Sequence, residues 1–288
     1  MEFEKQQSEI IALCKKLLSS GSVKSIIAYR SSSVDGKAIP YIFSDASQAD
    51  NVVWNEWCVP NLSKYLIGRD EKTAIVAKAC DVRAIVSLIV EKQLKRENIH
   101  IIGISCSGMK DEYSNARSAC AECVVNQPPM FDSHIENSTL LSNTDPCMSD
   151  SKDSNYNSST DNMRFENELR KCILCFACRQ ACYGCYCTTC FIERGVPNWQ
   201  PLNPDMGEKA LFHTVRTMHL AGRCVECGAC ENACASGVNL RYVIKDLSQF
   251  IADTYDYKAG LDVNTVPVML QHSTHDPEVG FLGGPADD

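Results

Sequence analysis

Two stretches of the chain carry cysteine at the same spacing. Cys172, Cys175, Cys178 and Cys182 stand in C-x2-C-x2-C-x3-C order, and Cys224, Cys227, Cys230 and Cys234 repeat it. No other feature constrains the fold as tightly. One such run is suggestive, whereas two at identical spacing form a ligand pattern. The first run belongs to the stretch KCILCFACRQACYGCYCTTC, which holds seven cysteines in twenty residues.

The spacing is that of bacterial two-cluster ferredoxins, in which the fourth cysteine of each run serves the other cluster. The reason is geometric. The first three thiolates wrap one corner of a cubane, while the fourth lies about a helical turn further on and points away. On this crossed scheme one [4Fe–4S] cluster takes Cys172, Cys175, Cys178 and Cys234. The other takes Cys224, Cys227, Cys230 and Cys182. Structural zinc is the bland alternative, but it pairs two short C-x2-C knuckles and has no use for the trailing cysteine. Ferredoxin runs usually place proline after the fourth cysteine, and here Tyr183 and Ala235 stand there. That substitution alters the shielding of a cluster without removing a ligand. Forty-one residues separate Cys182 from Cys224, more than a minimal ferredoxin has, so the module is an elaborated one.

Composition narrows the setting. The chain has 288 residues, room for two modest domains, and its net charge of -8 argues against nucleic acid as a partner. No apolar run approaches the roughly 18–20 residues of a membrane span. The start, MEFEKQQSEIIALCKKLLSS, mixes charge into an amphipathic pattern and does not read as a secretory signal. Eighteen cysteines in a chain expected to be cytoplasmic favour metal ligation or redox chemistry over disulfides.

The fold class expected is an α/β N-terminal domain followed by a mainly α-helical, dicluster ferredoxin-like C-terminal domain. Residues 4–19 read as an amphipathic helix, and SIIAYR (25–30) and YIFS (41–44) as strands. TAIVAK (73–78), DVRAIVSLIVEKQLK (81–95) and IHIIGIS (99–105) read as strand, helix and strand, with Asp81 as helix N-cap. Such a βαβ unit predicts a parallel pair. The first domain spans 1–136. Residues 137–164, rich in Ser, Asn and Asp, read as a flexible linker. The second domain spans 165–256, with helices at FENELRKC, GEKALFHTVRTMHLAG (207–222) and NLRYVIKDLSQFIADT (239–254). Residues 257–288 form a tail lying on the surface or against a partner.

The N-terminal half has cysteines of its own. Cys80 and Cys106 each follow a strand of the βαβ unit, which places both at the carboxyl edge of the sheet. Cys80 also stands at a helix N-terminus, where the dipole favours thiolate. Cys120 and Cys123 follow as a C-x2-C pair, so four thiols could converge on a third cluster. Buried apolar cysteines are the alternative. Cys185, Cys187 and Cys190 fall outside the two runs and are assigned packing beside the clusters, with a further cluster or a redox thiol pair as alternatives. Cys14 reads as core, and Cys58 and Cys147 are isolated. His272 and His275 make a poor metal site. No catalytic triad, Walker loop or G-x-G-x-x-G fingerprint is present.

KACDVRAIVSLI, IIGISCSGM and CAECVVNQPPMFD resemble the beta subunits of coenzyme F420-reducing hydrogenase and of related formate dehydrogenases. RKCILCFACRQACYGCYCTTC and HLAGRCVECGACENACASGVNL look like the halves of the ferredoxin-like module found fused to such subunits beside heterodisulfide-reductase-like proteins in anaerobes. The resemblance covers roughly residues 20–255. It implies an electron-transfer subunit of a larger redox complex, whose partners are hydrogenase, formate dehydrogenase or heterodisulfide-reductase-type subunits. It also implies FAD, and it matches Cys80, Cys106, Cys120 and Cys123 to the family's N-terminal cysteine pattern. A self-contained FAD-dependent reductase acting on a soluble donor such as coenzyme F420 is the second expectation.

Overall fold

The computed structural model describes residues 2–33, 37–111, 113–137, 158–193, 204–239 and 241–271. Most of the Ser/Asn/Asp-rich stretch, Cys147, His272 and His275 lie outside them. The chain opens with α1 (Glu2–Ser19), then β1 (Ser25–Ser31) and β2 (Ala38–Phe43), which pair antiparallel from Ile26 opposite Phe43 to Ser31 opposite Ala38. The βαβ unit follows as β3 (Thr73–Lys78), α2 (Ala79–Val90) and β4 (Ile99–Ile104). β3 and β4 are parallel, with Thr73 opposite Ile99 and Lys78 opposite Ile104. The short helix α3 (Ser118–Ala121) and the strand β5 (Ser133–Ile135), parallel to β4, complete this half.

The five strands lie in the order β2-β1-β3-β4-β5, a mixed sheet that is parallel except at its β2 edge. Every residue of β3 is buried, and so is nearly all of β4. Apolar side chains on both faces are what central parallel strands require, since helices cover them. α2 packs on β3 and β4, and α1 on β1 and β5. The second half contributes α4 (Ser158–Lys171), α5 (Ala177–Ala181), α6 (Met206–His219), α7 (Ala229–Asn232) and α8 (Arg241–Tyr255), with no strand among its described residues. No helix among the described residues is long and apolar enough to cross a membrane.

Several sequence expectations need correction. The helix α2 begins at Ala79 rather than Asp81, and Lys78, in extended conformation, is its N-cap. Asp81 sits in the first turn and its Oδ2 accepts from Lys78 N at 2.9 Å, so it caps the helix from inside. The helix stops at Val90 because Lys92 adopts a positive φ of 58° and the chain folds back onto the Leu88 carbonyl. The linker read over 137–164 is helical from Ser158. α3 and β5 gave no sequence signal, for elements of three or four residues are too short to show a period.

The tail after Tyr257 does not simply lie on the surface. Tyr257 and Ala259 are buried in the larger core, together with Tyr183, Val225 and Ile251, alongside residues of β3, β4 and α2. That core therefore draws on both halves of the chain. A smaller second core gathers Leu169, Leu174, Ile192, Phe212 and Val238. Arg83 of α2 donates from Nε and Nη2 to Ala259 O, at 3.2 and 2.9 Å, and from Nη1 to Val225 O at 3.3 Å. Next to this clasp, Gly260 has φ +77°, and a Cβ there would collide with the backbone of Arg83. Gly260→Ala is expected to cost more than about 1 kcal/mol, read as a lowered Tm in an anaerobic melt; an unchanged Tm would mean that the tail is not docked.

Candidate metal centre

The two cysteine runs adopt the same backbone. In the first, Leu174 and Phe176 have positive φ of 53° and 59°; in the second, Glu226 and Gly228 have 57° and 67°. These are the second and fourth residues after Cys172 and Cys224. In each run the first of them turns its N–H back to the leading cysteine: Leu174 N to Cys172 Sγ and Glu226 N to Cys224 Sγ, both at 3.3 Å. Each run then enters a short helix, α5 or α7. Leu, Phe and Glu adopt the left-handed region only at an energetic cost, so its recurrence at matched positions points to function. Alternating αR and αL residues turn successive N–H groups inward, the concavity that holds anions and iron–sulfur centres. Glycine is used where room is shortest, since a Cβ on Gly228 would stand 2.6 Å from the Ala119 Cβ.

The runs exchange their fourth cysteines. Cys172, Cys175, Cys178 and Cys234 line one cavity, together with Cys230. Cys182 lies instead with the second run: its thiol bears electrostatically on those of Cys224, Cys227 and Cys230. The structure thus sets Cys234 beside the first run, in a cavity that Cys230 also lines, and Cys182 beside the second.

The four N-terminal cysteines also converge. Cys80, Cys106, Cys120 and Cys123 line one cavity off the carboxyl ends of β3 and β4. Cys106 accepts a hydrogen bond from Gly108 N at 3.4 Å. Cys227 of the second run shares the wall of this cavity, and Cys230 shares the wall of the Cys172 cavity. Three groups of thiols thus form a row, with the second run in the middle.

Burial dominates the thiols. It pushes Cys106 and Cys227 up to about 12 and Cys178 to about 11, and lifts Cys224 well above the ordinary thiol value. The expectation that the helix dipole makes Cys80 a thiolate is overturned: burial and then the Asp81 carboxylate raise it, and Lys78 only partly opposes them. Such thiols are neutral without a metal and give up their protons to one. Cys182 is the exception, lowered first by a hydrogen bond from Cys185, which is itself raised by that bond. Cys185 therefore packs as a thiol against a run cysteine. Cys190 packs on the smaller core, and Cys187 is exposed. Cys14 and Cys58 are buried in the sheet core.

Every cysteine among the described residues is a free thiol. Among those residues no three of His, Cys, Asp and Glu are grouped so as to hold a single metal ion. A cubane puts each thiolate on a different iron, so convergence on a common cavity is the arrangement that suits it.

Two side chains of α6 belong to this site and were missed from sequence. His213 Nε2 stands 3.3 Å from Cys172 Sγ. Burial and then the Arg216 charge push its pKa down to about 4, so the imidazole is neutral and can offer an N–H to sulfur. Arg216 is buried and lines the same cavity. The signal available was their spacing, three residues apart and so on one helix face between two cysteine runs.

No family model matches the chain. It is 30% identical over 110 residues to F420-dependent formate dehydrogenase subunit beta of Methanocaldococcus jannaschii, a match covering 37% of this chain and 27% of that one. It is 31% identical over 104 residues to F420-dependent formate dehydrogenase 1 subunit beta of Methanococcus maripaludis, covering 34% and 26%. The chain thus spans about a quarter of the length of these curated relatives. Over that matched third of its own length, the chain is similar to the beta subunits of F420-dependent formate dehydrogenases.

Proposed function

We propose that this chain is an iron–sulfur electron-transfer subunit of an anaerobic, cytoplasmic oxidoreductase complex, of hydrogenase, formate dehydrogenase or heterodisulfide-reductase type. Cys172, Cys175, Cys178 and Cys234 would hold one [4Fe–4S] cluster, and Cys224, Cys227, Cys230 and Cys182 a second. Cys80, Cys106, Cys120 and Cys123 would hold a third. Bound clusters supply one-electron transfer at potentials set by charge, burial and hydrogen bonds to sulfur.

The observation that carries this reading is the row of cavities with shared walls. Cys227 faces the N-terminal group and Cys230 faces the first-run group, so neighbouring sites abut through single cysteines. The protein residues bind, shield and hydrogen-bond. Leu174, Glu226, Val238 and Gly108 offer backbone N–H groups to Cys172, Cys224, Cys234 and Cys106. Val225, Phe212 and Tyr183 are buried beside the sites and keep water away. Tyr183 occupies the position where ferredoxin runs usually carry proline, and its hydroxyl donates to Arg223 O. The relatives are beta subunits of formate dehydrogenases, which extends the reading to partner subunits, and FAD is implied by the family resemblance alone.

Anaerobic purification with iron, sulfide and flavin analysis, and EPR of the reduced protein, tests it. About twelve irons are expected for three cubanes, about eight would restrict the relay to the two runs, and fewer than four would overturn it. Stoichiometric flavin with turnover of a soluble donor such as coenzyme F420, in the absence of partners, would favour a self-contained FAD-dependent reductase instead.

A further inference from the structure

Arg216 is 6% exposed, and its surroundings are unusual for a buried guanidinium. Its Nη2 donates to Cys178 O at 3.3 Å, while its Nε is buried with no hydrogen-bond partner. After burial, the side chains that bear on it most are Cys182, Cys230, Cys178 and Cys185, and Cys230 lines the same cavity. Cys178 belongs to the first-run group, and Cys182 and Cys230 to the second. A guanidinium taken out of water needs a compensating anion and acceptors for its N–H groups. Neutral thiols supply neither well. A four-thiolate iron–sulfur core supplies both, being anionic and rich in sulfur acceptors.

We propose that Arg216 is a cation shared by the two runs, whose unpartnered Nε–H would be offered to a bound cluster and whose charge would raise both reduction potentials. It is a positioning and tuning residue, and the inference rests on the assignment of the two runs as cluster ligands. Reduction adds one electron from an external donor to a cluster and no proton, so the reduced form gains negative charge that a fixed cation stabilises. A cation beside thiols of both runs therefore acts on both couples, and hydrogen bonds to sulfur act in the same direction.

The test compares wild type, Arg216→Lys and Arg216→Gln, purified anaerobically, by iron analysis and EPR-monitored titration with dithionite. With iron retained, Arg216→Gln is expected to show about a tenfold lower ratio of reduced to oxidised cluster at a fixed potential, equivalent to about 59 mV for a one-electron couple. Both clusters should shift, and Arg216→Lys should shift less. Unchanged potentials, or a shift in one cluster only, overturn the shared-cation assignment. If the Gln variant loses iron, pulsed EPR of reduced wild type grown with 15N-arginine decides. A guanidinium nitrogen coupling to the clusters is expected, and its absence overturns the proposal. Wild type lacking iron would instead overturn the cluster reading itself, an outcome the iron analysis reports separately.

Discussion

Purified anaerobically, the double variant Cys120→Ser, Cys123→Ser is expected to hold about four irons fewer than the parent, with one EPR component lost and the others kept. The expectation follows from the cavity that these two cysteines share with Cys80 and Cys106 off the sheet edge. Serine preserves the volume of both side chains and removes the thiolates that a cubane needs. Cys123 is exposed and Cys120 half-buried, so the substitutions disturb little of the core. An unchanged iron count would leave all four N-terminal cysteines as packing thiols. Cys227→Ser provides the contrast. That residue belongs to the middle group, so its loss should remove a different four irons and separate the two ends of the row.

Asp81→Ala is expected to lower stability by about 3–5 kcal/mol, the cost of leaving one partner of a buried ion pair alone. Both side chains are essentially inaccessible, and Lys78 Nζ lies 2.9 Å from Asp81 Oδ2. The carboxylate also accepts from Lys78 N at 2.9 Å and from Leu62 N at 3.0 Å. Without it the Lys78 ammonium keeps only the Tyr29 hydroxyl and Pro60 O, the latter at 3.1 Å. Burial works against the Lys78 charge, yet Asp81 and Tyr29 hold its pKa well above the ordinary lysine value. Without Asp81 the burial of Lys78 is far less opposed, and the amine is left as an uncompensated charge or forced to give up its proton, each at a cost. Denaturant midpoints of the anaerobic protein measure the effect. The double replacement Lys78→Met, Asp81→Leu should lose less than Asp81→Ala, because it strands no charge. A larger loss in the double variant would show that the pair supports the sheet edge through its geometry rather than its charge.

How much of this was legible beforehand differs by level. The central strands and α2 were readable because their residues are apolar over lengths that suit a buried βαβ unit. Asp81 was placed at the right end of α2 but in the wrong role, since a carboxylate can cap from the first turn as well as from before it. The β5 strand was invisible at three residues. The docking of Tyr257, Ala259 and Gly260 onto α2 depends on Arg83, nearly two hundred residues earlier in the chain, and nothing local in the tail announces it. The thiol chemistry of Cys80 was misjudged for a related reason. A helix dipole can be read from sequence, but the burial that outweighs it cannot.

The sequence by itself determined the grammar of the proposed metal centre: two runs of identical spacing, in which three thiols would share one corner and a fourth would reach elsewhere. That grammar is local, because spacings of two and three residues set directions within a single turn of chain. Only the tertiary structure decided which surfaces those directions meet. It set Cys234 into the cavity of Cys172, Cys175 and Cys178, and gathered four distant cysteines at the edge of the sheet. It also put Cys227 and Cys230 in the walls between neighbouring sites, with Arg216 buried beside thiols of both runs. Ligand identity is a property of short segments. The separation, shielding and charge around the ligands come from packing between residues far apart in sequence.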